Sequence, residues 1–207
     1  MSADIAMTRE DLALRLKGER TYLHGTDVYD AAVQCLRRRW PAIDGRCRFA
    51  FHRMATRPLT VAIGAFGAGA RPPGCVAEMH VTGGPAEASA WFVERAGTVE
   101  GRYPYDEEAV VRDCTLGDME IGMAEPPPVR PIEALVAMTK RLHNAVSRPE
   151  RGRWLFVRLD LGRLLREDDA RGMRVRLSSA PRAALSRADI VVRDEPLGTI
   201  YFAVGAA

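Results

Sequence analysis

A histidine and two carboxylates stand at the heads of the two strongest helical patterns in the chain. The first group is Leu23-His24-Gly25-Thr26-Asp27, directly ahead of a segment of helical periodicity. The second is Val129-Arg130-Pro131-Ile132-Glu133-Ala134-Leu135-Val136-Ala137, which places Glu133 in the first turn of another. An imidazole that titrates near neutrality can take up or return a proton, and a desolvated carboxylic acid can donate one. Backbone N–H groups at a helix start can hold negative charge as it develops on a carbonyl oxygen. These residue types at two helix heads point to acid–base chemistry.

Each candidate also has an ordinary role. Glu133 as a first-turn acid stabilises its own helix by about 0.3–1 kcal/mol. His24 reads equally as a turn histidine, and Asp27 as a helix cap. Tyr29 shares the first turn with Asp27, and Arg130, beside Glu133, can bind a carboxylate or phosphate or simply face solvent. Arg37, Arg38 and Arg39 suit the C-terminal end of a helix dipole, or offer a landing patch for a phosphate or an acidic carrier. His52 and His80 alternate out of phase with the apolar residues of their strands, and Glu78 shares a face with His80; two ligands do not make a metal site. His143 falls late in its helix and complements the dipole. The four cysteines have no C-x-x-C spacing, which argues against zinc or a disulfide framework; Cys35 reads as core and Cys114 as an isolated nucleophile candidate. The run from Gly64 to Gly69 lacks the Lys-Ser/Thr of a P-loop, and no G-x-S-x-G elbow is present.

Periodicity supplies the elements that must position these groups. Thr8-Arg9-Glu10-Asp11 predicts a short helix ending near Gly18, and residues 20–23 a short β-prone stretch. Val28, Ala32, Cys35 and Leu36 make an apolar helical stripe that Pro41 stops, with Thr26 or Asp27 as its cap. Strands are predicted over 48–53, 59–65, 75–81 and 88–95, with a loop over 67–74. Residues 106–115 and 118–123 read as further strand. Pro126-Pro127-Pro128 is the clearest punctuation. Pro131 then opens a helix with Ile132, Leu135, Val136, Thr139, Leu142 and Val146 on one stripe, followed by strands over 154–159 and 173–177 and a closing hairpin.

The pattern repeats. The helix at 27–39 followed by a strand at 47–52 has its counterpart about 105 positions further on, and each half closes on a β-rich strand. Duplicated halves often pack so that a site forms at their seam. A strand, a helix and then four strands, twice, resembles the hot-dog fold, and the doubled copy, with antiparallel sheets around central helices, resembles a double hot dog. The segment around Glu133 resembles the helix start of hot-dog acyl-thioester dehydratases. That resemblance implies Glu133 as the acid and, from the other half, His24 as the base that removes the α-proton of a 3-hydroxyacyl thioester. It also implies that Asp27 can hydrolyse a thioester through a bound water, with Tyr29, Arg130, Arg37 and Arg38 binding substrate. The sequence departs from the family pattern in three places. No His lies at 119–128, no Gly follows Pro131, and Tyr29 stands where the first half would need its acid.

The expected architecture is therefore α+β: a helical segment at 1–19, then hot-dog-like halves at 20–125 and 126–207. The 207 residues are enough to bury a core, and 47% hydrophobic with 28% charged residues is the make-up of a globular protein. The net charge of +3 gives no case for nucleic acid, and the cations are almost all arginine, with Lys17 and Lys140 the only lysines. No run is apolar enough to span a bilayer and the first residues lack a secretory signal, so the expectation is a cytoplasmic protein with no membrane partner. The resemblance implies an acyl-CoA or acyl-carrier-protein substrate and no cofactor beyond its CoA or phosphopantetheine. It is also compatible with a homo-oligomer. The competing expectation is a non-catalytic module that binds a small acyl or aromatic ligand or serves assembly.

Overall fold

The computed structural model describes residues 7–67, 70–178 and 185–205. The first six residues, where the absence of a secretory signal was read, and positions 68 and 69 of the expected 67–74 loop lie outside these. The chain divides into two compact units, Met1–Tyr105 and Asp106–Ala207, a division that falls ahead of the proline run.

The first unit carries β1 (Thr8–Asp11), β2 (Leu16–Lys17), α1 (Gly25–Arg39), β3 (Arg46–Phe51), β4 (Leu59–Ala65), β5 (Cys75–Thr82), β6 (Ala88–Glu94) and β7 (Arg102–Tyr103). Five of these form an antiparallel sheet in the order β1-β4-β6-β5-β3. The helix stripe Val28, Ala32, Cys35 and Leu36 is buried, and α1 lies against β4 and β6. Alternation does the rest. Phe49, Met79 and Phe92 are fully buried, and Phe49 meets Tyr29 and Phe92 edge-on. A Cβ on Gly84 would overlap the Asp44 carbonyl, so this glycine lets the β5–β6 turn close onto the loop before β3.

Two expectations for this unit fail. Residues 8–11 are a strand and not a helix, because β4 offers them an antiparallel ladder from Thr8↔Ile63 to Asp11↔Thr60, and a tertiary partner overrides the capping pattern. Residues 20–23 form no strand; the short strand lies earlier, at Leu16–Lys17, paired in parallel with Arg102–Tyr103.

The second unit carries α2 (Glu107–Val111), β8 (Thr115–Leu116), β9 (Glu120–Met123), α3 (Pro131–Val146), β10 (Arg153–Leu161), β11 (Met173–Leu177), β12 (Leu185–Val192) and β13 (Glu195–Gly205). The expected strand at 106–115 is instead the helix α2. Asp106 caps it by accepting from the Ala109 N–H at 3.0 Å, and Glu107 and Glu108 occupy its first turn. The antiparallel order is β10-β13-β12-β11-β9-β8, and α3 lies against β9, β10 and β11 with Ile132, Leu135, Val136 and Leu142 buried.

Both units are thus α+β, each a helix on an antiparallel sheet, which is the arrangement a hot-dog fold implies. Their ladders differ. After its helix the first unit pairs β3-β5-β6-β4, whereas the second pairs β10-β13-β12-β11. The same order along the chain therefore does not give the two units the same strand order, and the duplication inferred from element order does not extend to the ladders.

Candidate functional site

The start of α1 gathers four ionisable side chains, His24, Asp27, Lys17 and Tyr103. Leu23 is fixed by its N–H bond to the Ala55 carbonyl at 2.8 Å, and His24 follows as the N-cap, in extended backbone and 7% exposed. The helix starts two residues earlier than the expected 27, at Gly25, so Thr26 and Asp27 are first-turn residues rather than caps. Both are buried.

Opposite them stands the short parallel pair. Lys17 on β2 and Tyr103 on β7 are register partners. Gly18, at φ 56°, turns the chain immediately after Lys17; its N–H bonds to the Tyr103 carbonyl at 2.9 Å, and its carbonyl accepts from the Arg102 guanidinium. This clamp holds the two side chains at Asp27.

Tyr103 donates its hydroxyl to Asp27 Oδ2 at 2.7 Å, and Lys17 Nζ lies 3.7 Å from Asp27 Oδ1. Lys17 is fully buried. Its ammonium donates to Thr26 Oγ1 at 3.2 Å and sits over the Tyr105 ring, 4.1 Å from the centroid. Thr26 Oγ1 is in turn 2.7 Å from His24 Nδ1. A buried charge is costly unless it is paired and hydrogen-bonded. Lys17 has a carboxylate, a hydroxyl and an aromatic face to offset that cost.

Of the sequence-predicted residues, His24 and Asp27 are brought together. Tyr29 is a core residue edge-on to Phe49. Arg37 and Arg38 are exposed at the opposite end of α1, roughly 20 Å from His24 at 1.5 Å per residue, and Arg38 pairs with Glu10 at 2.5 Å. Glu133 belongs to the second unit. Buried at the third position of α3, it accepts from the Arg130 backbone N–H at 3.4 Å, the reach-back half of a capping box, and from Arg130 Nε at 3.0 Å, an ion pair within the first turn. Arg130 is thereby the N-cap of α3 and a partner of Glu133.

Elsewhere, His52 and His80 flank Glu78 at 3.4 and 3.8 Å, and Ser89 lies 2.8 Å from His80 Nδ1. Burial pushes the His80 pKa below its usual value. Among the described residues no three His, Cys, Asp or Glu side chains are placed to hold a metal ion. Burial pushes the Cys35, Cys75 and Cys114 thiols up, so none has the depressed pKa of an activated nucleophile. His143 does not sit at a solvated helix end. It is fully buried, stacked on Phe202 and bonded at 2.7 Å to both the Thr139 carbonyl and Ser186.

Sequence reasoning missed Lys17, Tyr103 and Tyr105. Lys17 carried a signal, as one of two lysines in a chain whose other cations are arginine. Tyr103 and Tyr105 alternate around Pro104, which is the spacing of one face of a strand.

No protein-family model and no curated protein matches this chain. Its likeness is to solved thioesterases and dehydratases. One is the 12:0-ACP thioesterase from Umbellularia californica, at 10% identity over 99% of this chain and 98% of that one, with a TM-score of 0.48. Another is a monomeric dehydratase domain from a trans AT polyketide synthase split module, at 10% identity over 97% and 100%, with a TM-score of 0.47. A third is the erythromycin dehydratase, at 11% identity over 96% and 90%, with a TM-score of 0.44. Among the described residues no helix is long and apolar enough to cross a membrane.

Proposed function

We propose that this chain is an enzyme that processes acyl thioesters of CoA or an acyl carrier protein, and that hydrolysis is the reaction its first unit fits best. One observation carries the reading. A buried carboxylate, Asp27, stands in the first turn of α1 within reach of a buried ammonium, with a histidine at the N-cap three residues before it.

Hydrolysis needs water activated beside a carbonyl whose developing negative charge is held. In this reading Asp27 takes a proton from water as the oxygen attacks the thioester carbon. The first-turn N–H groups of α1 and His24 stabilise the oxyanion. The C–S bond then breaks, the thiolate takes up the proton, and a carboxylic acid and a thiol leave. Tyr103 and Lys17 hold Asp27 in place and do not touch the substrate.

The second reading is dehydration of a 3-hydroxyacyl thioester with His24 as base and Glu133 as acid. It is favoured by Glu133 being buried at a helix start, but the Arg130 backbone N–H and guanidinium already engage that carboxylate. Mass spectrometry of products from a panel of saturated and 3-hydroxyacyl CoA and pantetheine thioesters separates the readings. Hydrolysis gives the free acid and thiol; dehydration gives an enoyl thioester lighter by one water. Binding of intact thioesters with no product from any of them would support the non-catalytic module instead.

A further inference from the structure

The proton inventory around Thr26 fixes which nitrogen of His24 carries hydrogen. Among the described residues the Thr26 hydroxyl has two partners, Lys17 Nζ at 3.2 Å and His24 Nδ1 at 2.7 Å. An ammonium has only donor hydrogens, so Thr26 Oγ1 accepts from Lys17. The hydroxyl's own hydrogen then has one destination, His24 Nδ1. If Nδ1 were the protonated nitrogen it would also donate to Thr26, and the hydroxyl hydrogen would be left unbonded at a side chain with no exposure. A buried donor without an acceptor costs about 1–3 kcal/mol. Donation by Lys17 also polarises the hydroxyl and makes it a better donor to the ring.

We infer that Lys17 and Thr26 are positioning residues that hold neutral His24 as its Nε2–H tautomer, the form in which the ring can donate to an acyl carbonyl oxygen and cannot act as a base through Nε2. The catalytic meaning rests on the acyl-thioester reading above; the tautomer does not. On this inference His24 is not the α-proton base, since a ring whose Nδ1 is engaged by Thr26 and whose Nε2 bears hydrogen has no lone pair to offer a substrate. Asp27 is left as the group that accepts a proton.

Nitrogen-15 NMR of the intact chain, with histidine ring nitrogens labelled, reads the tautomer directly. At a pH well above the ordinary histidine value of about 6.5, wild-type His24 is expected to show Nδ1 in the unprotonated range and Nε2 in the protonated range. Thr26→Ser is expected to keep that pattern. Thr26→Val and Lys17→Met are expected to lose it, with the two nitrogens moving towards averaged shifts. Nδ1 in the protonated range in the wild type overturns the inference, and that spectrum decides even if Lys17→Met does not fold. A folded Lys17→Met with an unchanged His24 spectrum overturns the part assigned to Lys17. Because no turnover is involved, the tautomer can stand where thioester hydrolysis fails, and the reverse.

Discussion

Lys17 and Tyr103 are partners in register on two short parallel strands, and both reach the same carboxylate, Asp27. Neighbours in a parallel ladder project their side chains to the same side of the sheet. A two-residue pairing can therefore hold an ammonium and a phenol against one carboxylate at the head of α1.

Removing that carboxylate takes away the anion 3.7 Å from Lys17 Nζ. Asp27→Ala is expected to destabilise the protein by about 3–5 kcal/mol, the usual cost of breaking a buried pair by deleting one partner. Chemical denaturation checks this. Asp27→Ala combined with Lys17→Met is expected to be more stable than Asp27→Ala alone, because the uncompensated charge is then gone.

Tyr103→Phe deletes a single hydroxyl that donates to a carboxylate at 2.7 Å. Its expected cost is about 1.5–3 kcal/mol, the range for hydrogen bonds to charged groups. The same denaturation experiment reads it, and a change near zero would mean that water replaces the phenol at Asp27.

His143 makes the second unit sensitive to acid. The Thr139 carbonyl only accepts, so Nδ1–H donates to it and Nε2 accepts from Ser186. The ring is neutral in the fold, and burial pushes its pKa below the usual value. Below about pH 6.5 the unfolded chain binds a proton that the folded chain refuses. Stability is therefore fully present above that pH and falls as pH drops beneath it, by at most about 1.4 kcal/mol per pH unit from this group. His80, lowered for the same reason, contributes with the same sign. Unfolding free energies at pH 7.5 and pH 5 should differ less in His143→Gln than in the wild type.

The loop between β10 and β11 hangs on Asp169. This buried carboxylate accepts from both terminal nitrogens of Arg163, at 2.6 and 2.8 Å, and from the Arg166 N–H at 2.8 Å. Asp169→Ala is expected to cost about 3–5 kcal/mol. Hydrogen exchange should show the lost protection in the loop over 162–172 first.

The helix starts and the strand periods were legible because they are local. The stripe from Val28 to Leu36, the stop at Pro41 and the opening at Pro131 are written in side-chain spacing and backbone restriction. Partners distant along the chain were not. Thr8-Arg9-Glu10-Asp11 has the residues of a helix start, yet it becomes a strand because Thr60–Ile63 offers it a ladder. The swap in strand order between the units is equally invisible, since in each unit the long helix is followed along the chain by the same run of four strands. At the site, His24 and Asp27 could be read from their place before a helix. Lys17 could not, because its burial depends on a pairing with residues 102–103, more than 80 positions away.

If Asp27 activates water against a thioester, thiol release from acyl-CoA substrates depends on its carboxylate. Wild type and Asp27→Asn, an isosteric change, are compared on the substrates the wild type turns over, with circular dichroism confirming that both are folded. Steady thiol release by the wild type is expected, with a loss of about 100-fold or more in kcat for Asp27→Asn, the contribution of a positioned general base. A folded Asp27→Asn that releases thiol at the wild-type rate would contradict it.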